Sequence, residues 1–346
     1  MTMLSIVVPV YNEEGNIEPL YDAINHALGQ IGDRYDWEFI FTDNCSTDAT
    51  FERLEQLAAR DSRVRVYRFT KNFGFQRSIL TGYRLARGSA AIQIDCDLQD
   101  PPELIVDFVR LWEAGYKIVF GVRKSRPEAF HLRAMRHLFY RIISWLSTDY
   151  LPPDAGDFRL VDRCVIDLLH EYHDENPYLR GYIASLGYRQ IGVAYDRAER
   201  RSGRSAFGFG SLMTLALDGI VSHSIAPLRL ASFVGFSLSI AAVLAIGVYL
   251  ARYQTNWPAG FATLAILMLI SLAMNALFLG IIGEYIGRMY RQVKAGPLTI
   301  VDRLIDRMDP REPQTGGRGT RSVAGIVLPN TEPEDGVPRK ESSAGI

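Results

Sequence analysis

The chain has 346 residues, 38 Lys and Arg against 39 Asp and Glu, a formal net charge of -1, and a composition 48% hydrophobic and 22% charged. That is length enough for two domains. The balanced charge argues against a nucleic-acid binder working through a basic surface, and the ordinary Gly and Pro counts argue against a fibrous or wholly disordered protein. Cys45, Cys96 and Cys164 are odd in number and lack any CxxC spacing, so neither a disulfide framework nor a zinc site is expected.

From residue 1 to about 120, short β-branched runs alternate with amphipathic stretches, the pattern of a parallel sheet with helices on both faces. LSIVVPVY, DWEFIFTD, RVRVYRF, AAIQIDCD and YKIVFGV read as five strands, with helices predicted over 16–30, 47–59, 75–87 and 102–114. Gly88 is placed to cap the third helix, and Pro101 and Pro102 to open the fourth. The opening apolar run is short, has no basic leader and ends at Glu13 and Glu14, which predicts a first strand rather than a signal peptide.

Arg123, Lys124, Arg126, Arg133, Arg136 and Arg141 then face only Glu128, interleaved with Phe130, Leu132, Leu138, Phe139 and Tyr140. This predicts a basic amphipathic helix for a membrane surface, the alternative being a solvated helix packing an apolar stripe on the sheet. A second cluster, Arg197, Arg200, Arg201 and Arg204, precedes a stretch over 211–225 whose apolar residues recur at helical spacing, an interfacial helix in this reading. No charged side chain occurs over 230–251 or over 253–283, so spans are predicted at 230–251 and 259–283. Two buried core helices of a soluble protein are the alternative. The loop around 254–258 is too short for anything but a hairpin, and the basic flanks (197–229, then Arg288, Arg291 and Lys294) outweigh Arg252 in the loop, which puts the bulk of the chain in the cytosol. After about residue 309 the tail is too polar to fold and is expected to be disordered. The expected organisation is a catalytic domain over 1–195, a basic loop and interfacial helix over 196–228, the spans within 229–287, a juxtamembrane segment over 288–308, and the tail over 309–346.

Asp95-Cys96-Asp97-Leu98-Gln99-Asp100 falls where the fourth strand is expected to end. Residues i and i+2 share one face of a strand, so Asp95 and Asp97 approach one point, and paired carboxylates with a nearby amide oxygen suit Mg²⁺ or Mn²⁺ held with substrate phosphates. Solvated acidic turns also produce Asp-x-Asp. The position at the carboxyl end of a parallel strand favours the site, because open α/β sheets bind ligands there. Tyr11, Asn12 and Glu13 follow the first strand, and Asp43, Asn44, Ser46 and Asp48 the second, which describes one cleft. Singly, Asn12 reads equally as a turn residue and Ser46 as a helix cap. There is no Gly-x-Gly-x-x-Gly after the first strand and no P-loop, which disfavours a dinucleotide dehydrogenase and a P-loop NTPase.

In order, SIVVPVYNEEGNI, TDNCSTDAT, KNFGFQ, QIDCDLQDPPELI, GVR, GDFRL, LRGYIASLG and GEYIGR resemble the family 2 glycosyltransferases. More narrowly they are similar to the polyprenyl-phosphate glycosyltransferases, relatives of dolichyl-phosphate mannose synthase and of two-span bactoprenyl glucosyltransferases. The resemblance covers about residues 3–300. It implies a GT-A type, Rossmann-like α/β domain with interfacial helices and a two-helix transmembrane hairpin. It implies that Tyr11, Glu13 and Asp43 contact the base and ribose of a nucleotide sugar, with Pro9, Asn12, Asn44, Gln76 and Asp95 in the same donor pocket. Asp95, Asp97 and Gln99 would hold the metal, Asp97 and Asp157 would serve catalysis, and Arg159 would line the reacting centre. Arg123, Arg159, Arg200, Arg201 and Ser205 would receive lipid phosphate or diphosphate. One departure stands out: the family's usual Ser-Lys-Tyr is here Ser205-Ala206-Phe207, and Arg204 is the available replacement for the missing basic contact.

The implied chemistry is in-line displacement at the anomeric carbon, with the metal neutralising the departing diphosphate. A lipid phosphate monoester has its second pKa at about 6 and attacks already ionised, so no strong base is needed and the anomeric centre inverts. The two-span type points to glucose from UDP-glucose onto undecaprenyl phosphate at the cytosolic face of a bacterial inner membrane. UDP-N-acetylhexosamine, GDP-mannose and UDP-aminoarabinose are the alternative donors, and a homo-oligomer without nucleic acid is the implied assembly. A processive polysaccharide synthase should carry Gln-x-x-Arg-Trp, which none of Trp37, Trp112, Trp145 and Trp257 completes. A catalytically silent membrane scaffold of the same fold would bind nucleotide sugar without turnover.

Overall fold

A computed structural model describes residues 1–123, 155–174, 177–196, 260–294, 296–307, 321–323 and 326–328, with positions 228, 231, 233–237, 240, 241 and 244. The elements run β1 (Thr2–Val10), α1 (Ile17–Gly29), β2 (Tyr35–Asp43), α2 (Thr50–Arg60), β3 (Val64–Phe69), α3 (Phe75–Leu85), β4 (Ala90–Gln93), α4 (Leu104–Glu113) and β5 (Ile118–Arg123). There follow β6 (Ala155–Asp162), α5 (Arg163–Glu171), α6 (Leu179–Ser185), β7 (Gln190–Tyr195), α7 (Phe261–Val293), β8 (Thr299–Ile305), β9 (Arg321–Val323) and β10 (Ile326–Leu328). The strand order is β7-β5-β6-β4-β1-β2-β3-β8-β10-β9.

β1 lies between β4 and β2 in parallel register, Val10 opposite Asp43, and β3 continues the parallel core. Its nearly unbroken apolar run is what burial on both faces requires. Leu4, Ile6 and Val8 enter the layer built with Ile17, Leu20, Phe51, Leu54, Phe108 and Val109, whereas Val7 packs with Ile79, Leu80 and Tyr83 of α3 and Val165 and Leu169 of α5. The α/β class and the helices on both faces are as expected.

Several boundaries and neighbours differ. β6, which carries GDFRL, runs antiparallel between β4 and β5, so the sheet is mixed and β5 does not flank β4. Along β6, Phe158 and Leu160 pack with the α1/α4 layer while Asp157 and Arg159 alternate away from it, and the charges on that second face disguise the strand in sequence. β4 ends at Gln93, so Asp95 and Asp97 stand on a loop and not on one strand face; Leu98, at φ 57°, turns the chain there before the Pro101-Pro102 bend. α3 ends at Leu85, and Gly88 does not cap it. Glycine is required at 88 by close approach instead: a Cβ there would sit 2.7–2.8 Å from backbone atoms of Met3, Ser5 and Ala90.

After α7 the chain returns to the sheet. β8 pairs antiparallel with β3, β10 pairs with β8, and β9 pairs with β10. The segments read as juxtamembrane and as disordered tail therefore contribute strands, because Leu298, Val301 and Ile326 are apolar enough to close the α3 side of the core. At the far end of β8, buried Arg65 donates to Glu38 Oε2 (2.8 Å) and Asp306 Oδ2 (2.9 Å), and Glu38 Oε1 accepts from Ser5 Oγ (2.6 Å) and the Arg87 N–H (2.8 Å). Among the described residues one helix, α7, is long and apolar enough to cross a membrane, and none of Ile270–Gly287 is buried. The predicted first span is described only at scattered helical positions; there Gly235 stands 3.5 Å, measured from a Cβ built on it, from the Phe278 ring of α7. The basic stretch after Arg123, the Arg197 to Arg204 cluster and the predicted 211–225 helix lie outside the described residues.

Candidate active site

The loops after β1, β2 and β4 meet at the carboxyl edge of the parallel core. Each contains a residue in the left-handed region: Asn12 (φ 56°), Cys45 (φ 63°) and Leu98 (φ 57°), the three non-glycine residues of positive φ among those described. Backbone held this way marks loops over-determined by their surroundings. Here the ties are visible. Asn12 Oδ1 accepts the Thr47 N–H (2.8 Å), the Asn12 N–H donates to Ser46 Oγ (3.0 Å), and the Glu13 N–H donates to Thr50 Oγ1 (2.8 Å). Asn44 Oδ1 accepts the Phe73 N–H (2.9 Å), which binds the loop after β3 to the loop after β2. Asn12 and Asn44 thus spend their side-chain oxygens on architecture.

The cleft so formed encloses about 280 Å³ and is lined by Pro9, Tyr11, Glu13, Asn44, Asp95 and Asp97, with Val10, Asn72, Phe75 and Cys96. The first six are sequence-predicted positions. Asn72 and Phe75 carry no role in the sequence reading; in the structure Gly74 turns the chain at φ 94° and leaves Phe75 42% exposed at the start of α3.

Asp43 is fully buried beneath the cleft, its Oδ1 accepting from the Ser46 N–H (3.0 Å) and hydroxyl (2.5 Å) and its Oδ2 3.7 Å from Arg68 Nε. Burial raises its carboxyl above the ordinary carboxylate value. Asp95 accepts from Gln93 Nε2 (2.8 Å). Burial first, then the negative charges of Asp100, Asp157 and Asp97, push the Asp95 carboxyl up to about 7. Asp97 Oδ1 accepts the Gln99 N–H (3.1 Å). Gln99 itself is buried and does not line the cleft, and among the described residues no three acidic, His or Cys side chains converge as a metal cage. Of the three predicted ligands, Asp95 and Asp97 line the cleft.

Asp157, at the other side of β4 on β6, pairs with Arg180 (2.7 Å) and accepts from Gln76 Nε2 (3.5 Å). Burial alone would raise its carboxyl, but Arg180, Arg159 and these hydrogen bonds outweigh it and hold it below the ordinary value. A carboxylate so engaged is a poor proton acceptor and an effective orienting group. Arg159 is 4% exposed and donates to the Gly156 carbonyl (2.9 Å). The ion pair to Asp157 is made by Arg180, from the LRGYIASLG stretch, with Arg159 adding its charge nearby. Arg123 stands at the end of β5, 3.5 Å from Asp100 Oδ2. Arg200, Arg201, Arg204 and Ser205 lie outside the described residues.

Residues 5–166 match the family model described as glycosyl transferase family 2. Over 302 residues the chain is 38% identical to the uncharacterized glycosyltransferase YkcC of Bacillus subtilis, covering 86% of this chain and 93% of that one. It is 34% identical over 303 residues to the SfII prophage-derived bactoprenol glucosyl transferase of Shigella flexneri, covering 87% and 97%. A mannosyltransferase from Pyrobaculum calidifontis, solved with GDP-Man and Mn²⁺, aligns with a TM-score of 0.45 at 18% identity over 82% of this chain and 86% of its own. With relatives this similar along nearly their whole length, the chain belongs to glycosyltransferase family 2 and is a glycosyltransferase.

Proposed function

We propose that this glycosyltransferase is membrane-bound and inverting, and moves glucose from UDP-glucose to a polyprenyl phosphate such as undecaprenyl phosphate, on the cytosolic side. The observation that carries the reading is a two-carboxylate cleft at the same sheet edge where β8 enters from an exposed apolar helix. The bactoprenol glucosyl transferase of Shigella flexneri supports both the acceptor and the sugar. Asp95 and Asp97 suit Mg²⁺ or Mn²⁺, since the Asp95 carboxyl, raised to about 7 by burial and then by its acidic neighbours, is one that a cation readily returns to its anion. When bound, the cation neutralises charge on the departing diphosphate. The chain's own groups do the rest: Tyr11, 46% exposed on the cleft, offers a ring face to the base, and Asp157 orients what Arg180 and Gln76 hold beside it.

Residues 1–123 and β8 share one sheet, so a chain that enters the membrane through α7 must cross it an even number of times. The charge-free run over 230–251 supplies the second crossing, and Gly235 against Phe278 supports the pairing. A reporter fused after Gly296 is expected to read as cytosolic and one in the 254–258 loop as external; the reverse arrangement would overturn the orientation.

The function is tested by incubating membranes with undecaprenyl phosphate and labelled UDP-glucose, UDP-N-acetylglucosamine, GDP-mannose or UDP-aminoarabinose. Labelled lipid is expected from UDP-glucose. Label from a different donor moves the sugar assignment, and nucleotide binding without labelled lipid from any donor supports the scaffold reading instead.

A further inference from the structure

The last residues of β5 and β7, Arg123 and Tyr195, are register partners at the carboxyl edge of the sheet. The Tyr195 hydroxyl, 4% exposed with its residue, donates to Asp100 Oδ1 and accepts from Arg123 Nε (3.2 Å), while Arg123 Nη2 lies 3.5 Å from Asp100 Oδ2. Asp100 is fully buried and closes the loop that begins at Asp95. A phenol hydroxyl thus joins a buried carboxylate to a guanidinium whose side chain is 32% exposed. Nothing in the packing requires the oxygen: the Tyr195 ring is seated edge-on against Phe158 and close over Gly121, contacts that Phe would keep.

A guanidinium is planar, and its five donors keep fixed directions relative to one another. Holding Nε by the Tyr195 hydroxyl, with Nη2 drawn to the Asp100 charge at 3.5 Å, therefore aims the remaining donors outward. From this geometry we propose that Tyr195 is a positioning residue: it sets the plane of Arg123 so that the outer guanidinium edge receives a phosphate, and through Asp100 it ties that edge to the Asp95–Asp97 loop. The inference rests on the proposed role of Arg123 as a phosphate contact. The phosphate belongs to the acceptor lipid or to the donor diphosphate, and the two are separable kinetically.

The test is a double-mutant cycle on the full-length protein in detergent or vesicles, with Tyr195→Phe, Arg123→Ala and both together, measuring KM for undecaprenyl phosphate and for UDP-glucose beside UDP affinity. Tyr195→Phe should raise one phosphate substrate's KM about tenfold, the loss expected when a charge-assisted contact is misaimed, and leave the other within about twofold. A selective rise in the lipid KM assigns the acceptor phosphate, and a selective rise in the donor KM with weaker UDP binding assigns the diphosphate; either supports positioning. In the Arg123→Ala background the added Tyr195→Phe should change that KM by less than about twofold, since the hydroxyl then has no guanidinium to aim. If the tenfold loss persists without Arg123, or both substrates suffer alike, Tyr195 acts only on the fold and the inference is overturned. If Arg123→Ala moves neither KM, the phosphate role of Arg123 itself fails, and the inference with it.

Discussion

Asp97→Asn is expected to lower kcat at least about a hundredfold while the protein still folds, because loss of charge compensation at a departing diphosphate costs several kcal/mol. The substitution is nearly isosteric, and the amide keeps an oxygen for the Gln99 N–H that Asp97 Oδ1 now accepts at 3.1 Å. The loop therefore retains its turn, and the thermal midpoint should stay close to that of the parent. Activity within about tenfold of the parent would remove Asp97 from the cation site. A companion measurement follows from Asp95, whose carboxyl is pushed up to about 7 by burial and by its acidic neighbours. Below that pH the carboxyl is protonated, and a cation must displace the proton to bind. The apparent Kd for Mn²⁺ should therefore rise on acidification below about pH 7 and level off above it, in the presence of UDP. A Kd flat from pH 8 to 6 would show that Asp95 does not ligate.

The second large effect is on stability. Arg65→Ala removes the guanidinium that meets Glu38 at 2.8 Å and Asp306 at 2.9 Å, and Glu38 is fully buried. Removing one partner leaves the other charge uncompensated in the interior, a loss of about 3 to 5 kcal/mol. A sharp fall in the midpoint of thermal unfolding is expected, together with increased proteolysis after β8, because Asp306 is also the anchor for that strand. Arg65→Met tests the alternative that only packing matters: it fills much of the same volume, so a midpoint near that of the parent would mean that the ion pair contributes little.

The parallel core was legible because its strands are buried on both faces and read as apolar runs, and because each helix between them carries one apolar stripe. β6 and β8 were not. In β6 the charges of Asp157 and Arg159 break the apolar pattern, and their compensation comes from Arg180, a residue whose partner is invisible until the chain is folded. β8 pairs with β3 across more than two hundred residues and a membrane-length helix, a contact that no local periodicity encodes. At the site, the strand ends named in the sequence bring Tyr11, Glu13, Asp95 and Asp97 to one cleft. Gln99 and Arg159 are buried and do not line it, because spacing along the sequence does not encode which way a side chain is carried.

The connection between α7 and β8 has a kinetic meaning. α7 ends at Val293 and β8 begins at Thr299, so the intervening residues reach at most about 20 Å when fully extended. β8 begins where β3 ends, the Thr70 N–H donating to the Ile300 carbonyl at 3.0 Å, so this short leash attaches at the cleft edge of the sheet and not at its back. With α7 in a bilayer and Asp306 clamped to Arg65, the distance from the cleft to the lipid headgroups is bounded by the length of the chain itself. An acceptor confined to the same membrane is then sampled within a thin layer. On the proposed membrane-bound reading, so short a tether would keep the effective concentration of a lipid acceptor at the cleft high even when the lipid is scarce in bulk terms.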